Sequence, residues 1–512
     1  MNEPLGVISP NIYGHFTENI GALIYDGVWV GEGSKIPNIG GLRRDLVERL
    51  RLISPPIVRW PGGCFADSYD WRDGVGPKQK RPRRTNFWGG SGITRQAEKF
   101  DPNEFGTAEF ARFCKLIGAQ PYLAANVRSL PAEQFYQWIE YANSPAGSTT
   151  YSEMRAADGS AQPFPVLYWG VGNEAWGCGG DFTPEEYATE WRRFVAWVPR
   201  YGEKLRLIAS GPSDTDWDWT RGFLEGVAKK GAGLLKDVYG LSVHHYSWNV
   251  SRGKTTDWNK GKGDAVDFAP VDWYELLRQG ADMEAIITGH WKVMGEIDRE
   301  HAIKLAVDEW GPWYKPGSSP DPNYVLGQQV TLRDAVLSAM TLDIFNRHPD
   351  KVAIACNAQL MNCLNSLFFS EEEKLIVTPV YHVFRMYAGH QGQTAVRVDI
   401  SAPEATYDRD GQTANFPSLT GSASLTAELK ELTLSVVNAN TSSPQEAEIS
   451  IRGAAVRSAT GTVLTSDRLQ AHNTFAEPDN VRPQNSEVAV KGGSIVHVFP
   501  RASVTTLKIS LT

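Results

Sequence analysis

Trp169-Gly170-Val171-Gly172-Asn173-Glu174 and Leu305-Ala306-Val307-Asp308-Glu309-Trp310-Gly311 are apolar runs that each reach a glutamate at or near their end. A carboxylate at the end of a buried strand is costly to desolvate, so it is paired, hydrogen-bonded or kept for chemistry. One such glutamate alone reads as a strand leaving the core and meeting solvent or an arginine. Two suggest an acid and a nucleophile, provided the rest of the chain puts both in one place.

The rest of the chain alternates strand and helix. Apolar runs typical of buried parallel strands occupy 11–16, 56–60, 121–127, 166–174, 204–211, 240–246, 304–311 and 352–360. Helical periodicity lies between them, as in Leu42, Leu46, Val47, Leu50 and Ile53, or Phe135, Trp138, Ile139 and Ala142. Eight such units predict an α/β fold with a (β/α)8 TIM barrel over residues 1–390. Thr183, Pro184 and Glu186 form a T-x-x-E capping box with proline at the first helical position. A helix therefore starts soon after Glu174, which puts Glu174 at the C-terminal mouth of strand four. The same reasoning puts Glu309 at the mouth of strand seven, and the mouth is where such barrels do chemistry.

From about Thr394 the helical period stops. Short alternating runs follow at 423–429, 432–437, 447–451, 461–464, 487–490, 494–499 and 505–511. They predict an antiparallel, jelly-roll-like β-sandwich over 391–512, with the N-terminal segment a candidate to complete it.

At 512 residues two domains are expected. A net charge of -8 and a pI near 5.8 argue against nucleic acid, whose phosphates need clustered Lys and Arg. Lys78, Lys80, Arg81, Arg83 and Arg84 form a basic run broken by Pro77 and Pro82, read as a solvated loop. No apolar run reaches the ~20 residues of a membrane helix, so no membrane partner is expected. No signal peptide is read ahead of Pro4. The compartment stays open: cytoplasmic, or secreted or periplasmic with the signal removed.

Seventeen Trp and eighteen Tyr suit surfaces that are apolar on one face and hydrogen-bond on the other, as sugars are. For any single Trp, core packing is the commoner role. Cys64, Cys114, Cys178, Cys356 and Cys363 are odd in number and lack CxxC spacing, so free thiols are expected, with neither a disulfide framework nor a zinc site. A third glycine for a dinucleotide fingerprint, GxSxG and HExxH are all missing, so no cofactor and no metal are expected.

Glycoside hydrolysis needs two carboxyls across one bond, ~5–5.5 Å apart for retention and ~6.5–9.5 Å apart for inversion. Strands four and seven face each other across a barrel mouth, which leaves either spacing open.

The chain resembles glycoside hydrolase family 51, the retaining α-L-arabinofuranosidases of clan A, over nearly all its length. The motifs that carry the resemblance are Ile12-Tyr13-Gly14-His15-Phe16-Thr17-Glu18, Arg59-Trp60-Pro61-Gly62-Gly63-Cys64-Phe65-Ala66-Asp67, Gly172-Asn173-Glu174-Ala175-Trp176-Gly177-Cys178-Gly179-Gly180 and Val307-Asp308-Glu309-Trp310-Gly311. Thr378-Pro379-Val380-Tyr381-His382-Val383-Phe384 adds a further match.

The resemblance implies Glu174 as acid/base, Glu309 as nucleophile and Asn173 as a donor to the hydroxyl beside the anomeric carbon. It also implies Glu18 and Gln359 as sugar-pocket residues and Tyr246 as the group that holds the nucleophile. Trp176 is a further candidate for substrate binding. His244 shares a strand with Tyr246, and a satisfied core histidine is its alternative reading. Cys64 follows two glycines after strand two and is expected to shape the sugar pocket without acting as a nucleophile.

The chain also departs from many members, which have Asn at Cys64 and Glu-His at Glu18-Asn19; cysteine at position 64 marks a branch of the family. Residues 91–103 look long, and Arg128 stands where that branch tends to have glycine. The expected activity is a retaining, exo-acting α-L-arabinofuranosidase on arabinoxylan, arabinan or derived oligosaccharides, in a homo-oligomer. A β-xylosidase, β-galactofuranosidase or endoglucanase on the same machinery is one alternative. A catalytically silent carbohydrate-binding protein is another, and the intact glutamate pair counts against it.

Overall fold

Runs as apolar as Ile57-Val58 or Leu305-Ala306-Val307 have no face that tolerates water, so their strands must be covered on both sides. A parallel barrel jacketed by helices does this. A computed structural model of the chain describes residues 3–90, 99–253, 255, 257–321 and 324–512. Its barrel strands are β1 (Gly14–Phe16), β2 (Ile57–Trp60), β3 (Gln120–Ala125), β4 (Tyr168–Val171), β5 (Arg206–Ala209), β6 (Gly240–Ser247), β7 (Lys304–Pro312) and β8 (Val352–Asn357). They pair in parallel in chain order, and β8 closes on β1 through Cys356–Gly14 and Asn357–His15. All eight expected strands are present. β1 is shorter than expected because Pro10–Tyr13 winds into a 3-10 turn with proline at its start.

The jacket follows the predicted stripes. Helix Arg44–Arg51 buries Leu46, Val47 and Leu50, and Ala132–Asn143 buries Phe135, Trp138 and Ile139. Helix Pro184–Val195 starts on the expected box: Thr183 Oγ1 accepts from Glu186 N at 3.3 Å, and Glu186 Oε2 accepts from Thr183 N at 2.8 Å. Among the described residues no helix is long and apolar enough to cross a membrane. The basic run is only partly solvated. The Arg81 side chain is 2 % exposed and pairs with Glu109 at 3.1 Å and Asp158 at 3.8 Å, because the barrel brings those two carboxylates to it.

The C-terminal region is a mostly antiparallel β domain. One sheet runs Pro4–Val7, Thr394–Val396, Leu419–Leu425, Glu431–Asn438, Ser503–Leu511, Val456–Leu464, Gln484–Ser486. Gln445–Ile449, Ser494–Phe499 and Ala489–Lys491 form a second, three-stranded sheet. Leu425, Leu434, Ile495, Phe499, Leu507 and Ile509 share one apolar cluster of this domain. Val437, Ala439, Leu464 and Val504 instead belong to the barrel's own apolar cluster. Polar ties cross the same boundary: Trp273 Nε1 donates to Ala439 O at 3.0 Å, and Ser422 Oγ donates to Asp343 at 2.6 Å.

Because the barrel's core continues into the sheet, a chain ended at residue 397 would bare that apolar face. It is expected to be insoluble on expression. A soluble, fully active barrel from that truncation would contradict a shared core.

Candidate active site

β2 reads Ile57-Val58-Arg59-Trp60, and its one charged side chain lies buried within the barrel, 1 % exposed. Arg59 Nη1 donates to Glu309 Oε1 at 2.8 Å, Nη2 donates to Asn173 Oδ1 at 2.5 Å, and Nε lies 3.4 Å from Asp308 Oδ2. The Phe16 and Tyr122 rings sit 4.7 and 5.8 Å from the guanidinium carbon. Burial works against this cation, but Asp308 and Glu309 outweigh it and hold the pKa above arginine's ordinary value. Asp308 also accepts from Tyr122 OH at 2.6 Å and Ser242 Oγ at 2.5 Å. Burial favours its neutral acid, yet Arg59 and His244 hold its carboxyl well below the usual carboxylate range.

Glu309 stands on β7 in register with His244 on β6. Its second oxygen accepts from Tyr246 OH at 2.8 Å, so both carboxylate oxygens are held. His244 is buried, and its ring faces carboxyls. Nδ1 lies 2.9 Å from Glu174 Oε1 and 3.6 Å from Glu309 Oε2, and Nε2 lies 3.4 Å from Asp308. Burial disfavours the imidazolium, but Glu309, Asp308 and Glu174 outweigh it and raise the pKa to about 10. An oxygen of Glu174, a ring nitrogen of His244 and an oxygen of Glu309 all lie within 4.8 Å of one another.

Glu174 leaves β4 in a left-handed backbone conformation, φ 39°. A non-glycine residue there costs on the order of 1–3 kcal/mol and persists only when its surroundings fix it. Two features do so. Its carbonyl accepts from Gly177 N at 2.7 Å and Gly179 N at 3.1 Å, and a Cβ on Gly179 would sit 1.7 Å from Asn173 O, so only glycine allows that turn. Ahead of it, Asn173 N donates to Asp67 Oδ2 at 3.0 Å. Asp67 also accepts from Val127 N and Arg128 N at 2.7 and 3.1 Å, joining the loops after β2, β3 and β4. Burial pushes the Asp67 carboxyl up to about 7.

Glu18, two residues beyond β1, accepts from Phe65 N at 3.0 Å, Trp88 Nε1 at 3.1 Å and Gln359 Nε2 at 2.9 Å. Gly63 makes room for it, since a Cβ there would lie 2.5 Å from Glu18 Oε2. Burial, together with the Glu309 charge, pushes the Glu18 carboxyl up to about 7. Gln359 keeps its Oε1 without a hydrogen-bond partner among the described residues. Trp176 lies half-buried in the turn after Glu174, and its indole N–H likewise has no hydrogen-bond partner among them.

Cys64 is not a free thiol: it is bonded to Cys178, with Cα atoms 5.5 Å apart. The two are 114 residues apart in sequence, and only barrel closure brings the loops after β2 and β4 together, so no local spacing signals the pair. Cys114, Cys356 and Cys363 are buried free thiols, which accounts for the odd count. Arg128 braces the same place, with Nη1 donating to Cys178 O at 2.9 Å, Nη2 donating to Ser68 Oγ, and the guanidinium 5.5 Å from the Phe87 ring. Of the long stretch 91–103, residues 91–98 lie outside the described residues, while Phe100–Asp101 pairs with Arg84–Thr85.

The site thus gathers Glu18, Asn173, Glu174, His244, Tyr246, Glu309 and Gln359, with the Cys64 sulfur at its edge. Sequence reading assigned no part to Arg59, Asp67, Asp308 or Trp88. The signal for Arg59 and Asp308 was the one used for the glutamates, a charge inside an apolar strand. Asp67 and Trp88 carried no such mark. Among the described residues, Glu174, His244 and Glu309 are the set that could contribute to holding a cation; the Cys64 and Cys178 sulfurs also cluster with Glu174 but are consumed by their bond.

Comparison with known proteins agrees with this geometry. The α-L-arabinofuranosidase 1 domain matches residues 49–263, and the α-L-arabinofuranosidase C-terminal domain matches residues 308–503. An intracellular exo-α-L-arabinofuranosidase of Bacteroides ovatus is 36 % identical over 98 % of this chain and 93 % of its own length. The chain belongs to glycoside hydrolase family 51. The crystal structure of the family 51 arabinofuranosidase from Xanthomonas axonopodis pv. citri superposes with a TM-score of 0.91 at 35 % identity, covering 99 % of this chain and 98 % of that one. The Thermotoga maritima α-L-arabinofuranosidase in its arabinose complex gives 0.84 at 28 % identity, covering 100 % and 98 %.

For this family 51 hydrolase, Glu18 sets a stability test. Its folded pKa is raised, so its favourable contribution is present in full below the unfolded value of ~4.5 and is lost as pH rises through about 7. Relative to Glu18→Gln, whose side chain does not titrate, the wild type should lose on the order of 3 kcal/mol between pH 4.5 and 8 in denaturant titrations. A pH-independent difference would mean that Glu18 is not held neutral.

Proposed function

We propose that this chain is a retaining, exo-acting α-L-arabinofuranosidase that releases terminal arabinofuranose from arabinoxylan, arabinan or derived oligosaccharides by double displacement. The observation that carries the reading is the closeness of the two glutamates: one oxygen of each lies within 4.8 Å of the other, which fits the shorter carboxyl spacing of retention.

In this reading the Glu309 carboxylate attacks the anomeric carbon while Glu174 gives its proton to the departing oxygen. A covalent glycosyl-enzyme forms and the aglycone leaves. Glu174 then takes a proton from water, which attacks the same carbon and breaks the bond to Glu309. Arg59 and Tyr246 aim Glu309 by holding both of its oxygens. His244 faces Glu174 Oε1 and stabilises the carboxylate left once that proton has gone. Asn173, Glu18 and Gln359 offer hydrogen-bonding groups to sugar hydroxyls. The Bacteroides ovatus relative, described as exo-acting, supports the same reading.

Glu309→Ala should abolish turnover of every substrate. Glu174→Ala should lose ~10²–10⁴-fold on unactivated linkages, the usual contribution of a general acid. With a nitrophenyl α-arabinofuranoside and azide, Glu174→Ala should regain turnover and yield the α-glycosyl azide, because azide meets the glycosyl-enzyme from the face Glu174 has vacated. The β-azide, identified by NMR, would contradict the assigned roles.

A further inference from the structure

One short segment of the loop after β2 holds Glu174 from both sides. Ahead of it, Asp67 accepts from Asn173 N; behind it, Cys64 is bonded to Cys178, four residues beyond Glu174. Glu174 Oε1 faces His244. Oε2 faces the disulfide, 3.4 Å from the Cys178 sulfur and 3.8 Å from the Cys64 sulfur. Bonded to each other, these sulfurs carry no proton, so they form a wall for that oxygen and donate nothing to it. Both are half-buried and within reach of a small reductant, whereas Cys114, Cys356 and Cys363 are buried thiols.

We infer that the Cys64–Cys178 disulfide positions the acid/base, so that proton transfer to the leaving group depends on the thiol–disulfide state of this pair. The inference rests on Glu174 being the acid/base. A dithiol can reverse the bond: one thiolate attacks a sulfur to give a mixed disulfide, and the second thiolate closes the reductant's own disulfide. Cys64 and Cys178 are released, each taking a proton. The tie behind Glu174 then opens, freeing a left-handed backbone to relax. Two S–H groups also come to face Oε2, and a donor to a carboxylate favours its ionised form. Both changes impair Glu174 as an acid and leave Glu309 and its partners untouched.

The test compares the enzyme isolated without reductant with the same enzyme treated with dithiothreitol and freed of it. Thiol titration after denaturation should count three thiols before treatment and five after. On reduction, kcat/KM should fall about 10-fold or more for an alkyl arabinofuranoside, which needs its leaving oxygen protonated, and less than about 2-fold for a dinitrophenyl one. The basic limb of the kcat/KM profile should move to lower pH, and oxidised glutathione should restore both. The C64S/C178S double variant should behave as the reduced enzyme and ignore dithiothreitol; if it does not fold, the wild-type comparison stands alone. Five thiols in the isolated enzyme, an unchanged leaving-group ratio, or an equal loss on all substrates with only a lower Tm would each overturn the inference. Failure of azide to rescue Glu174→Ala would instead remove the acid/base assignment beneath it.

Discussion

The Arg59 guanidinium is the contact on which the mouth of this barrel depends. From β2 it reaches Asp308 and Glu309 on β7 and Asn173 just beyond β4, and it lies against rings from β1 and β3. A buried cation costs several kcal/mol to desolvate, so this cluster is a poor source of net stability. What it supplies is preorganisation. With Arg59 in place the two strands that carry the glutamates have a fixed relation, and an oxygen of Glu309 is held in one position.

The same cluster sets the proton inventory. Five carboxyls, Glu18, Asp67, Glu174, Asp308 and Glu309, share the mouth with Arg59 and His244. Two cations cannot balance five carboxylates in a dry site, so some of the acids must hold protons near neutral pH. Asp308, wedged between both cations, stays ionised, while Glu18 and Asp67, farther from them, rise to about 7. Glu174 has a ring nitrogen on one oxygen and a disulfide on the other.

Much of this was legible in the sequence. Eight strand-length apolar runs in alternation with helical stripes fit a barrel, and a glutamate at the end of such a run then falls at its mouth. The missing parts are those made by closure. Cys64–Cys178 joins two loops 114 residues apart, and Asp67 gathers three loops through backbone N–H groups that any residue supplies. Arg81 sat in what read as a wet basic run because its partners Glu109 and Asp158 carry no local mark. In the β domain, Thr433 and Ser435 alternate with Leu432, Leu434 and Val436 as a solvated face would, yet both are buried. Ser435 Oγ meets His390 at 2.7 Å, so the polar side of that strand faces the chain leaving the barrel.

The most direct test of the account is the covalent intermediate itself. The Glu174→Ala enzyme, mixed with a dinitrophenyl α-L-arabinofuranoside and quenched in acid within one turnover, should carry one pentosyl group. Peptide mass spectrometry should place it on Glu309, at a level that matches the burst of released phenol. A burst with Glu309 unmodified, or the pentosyl group on another side chain, would contradict the two-glutamate double displacement.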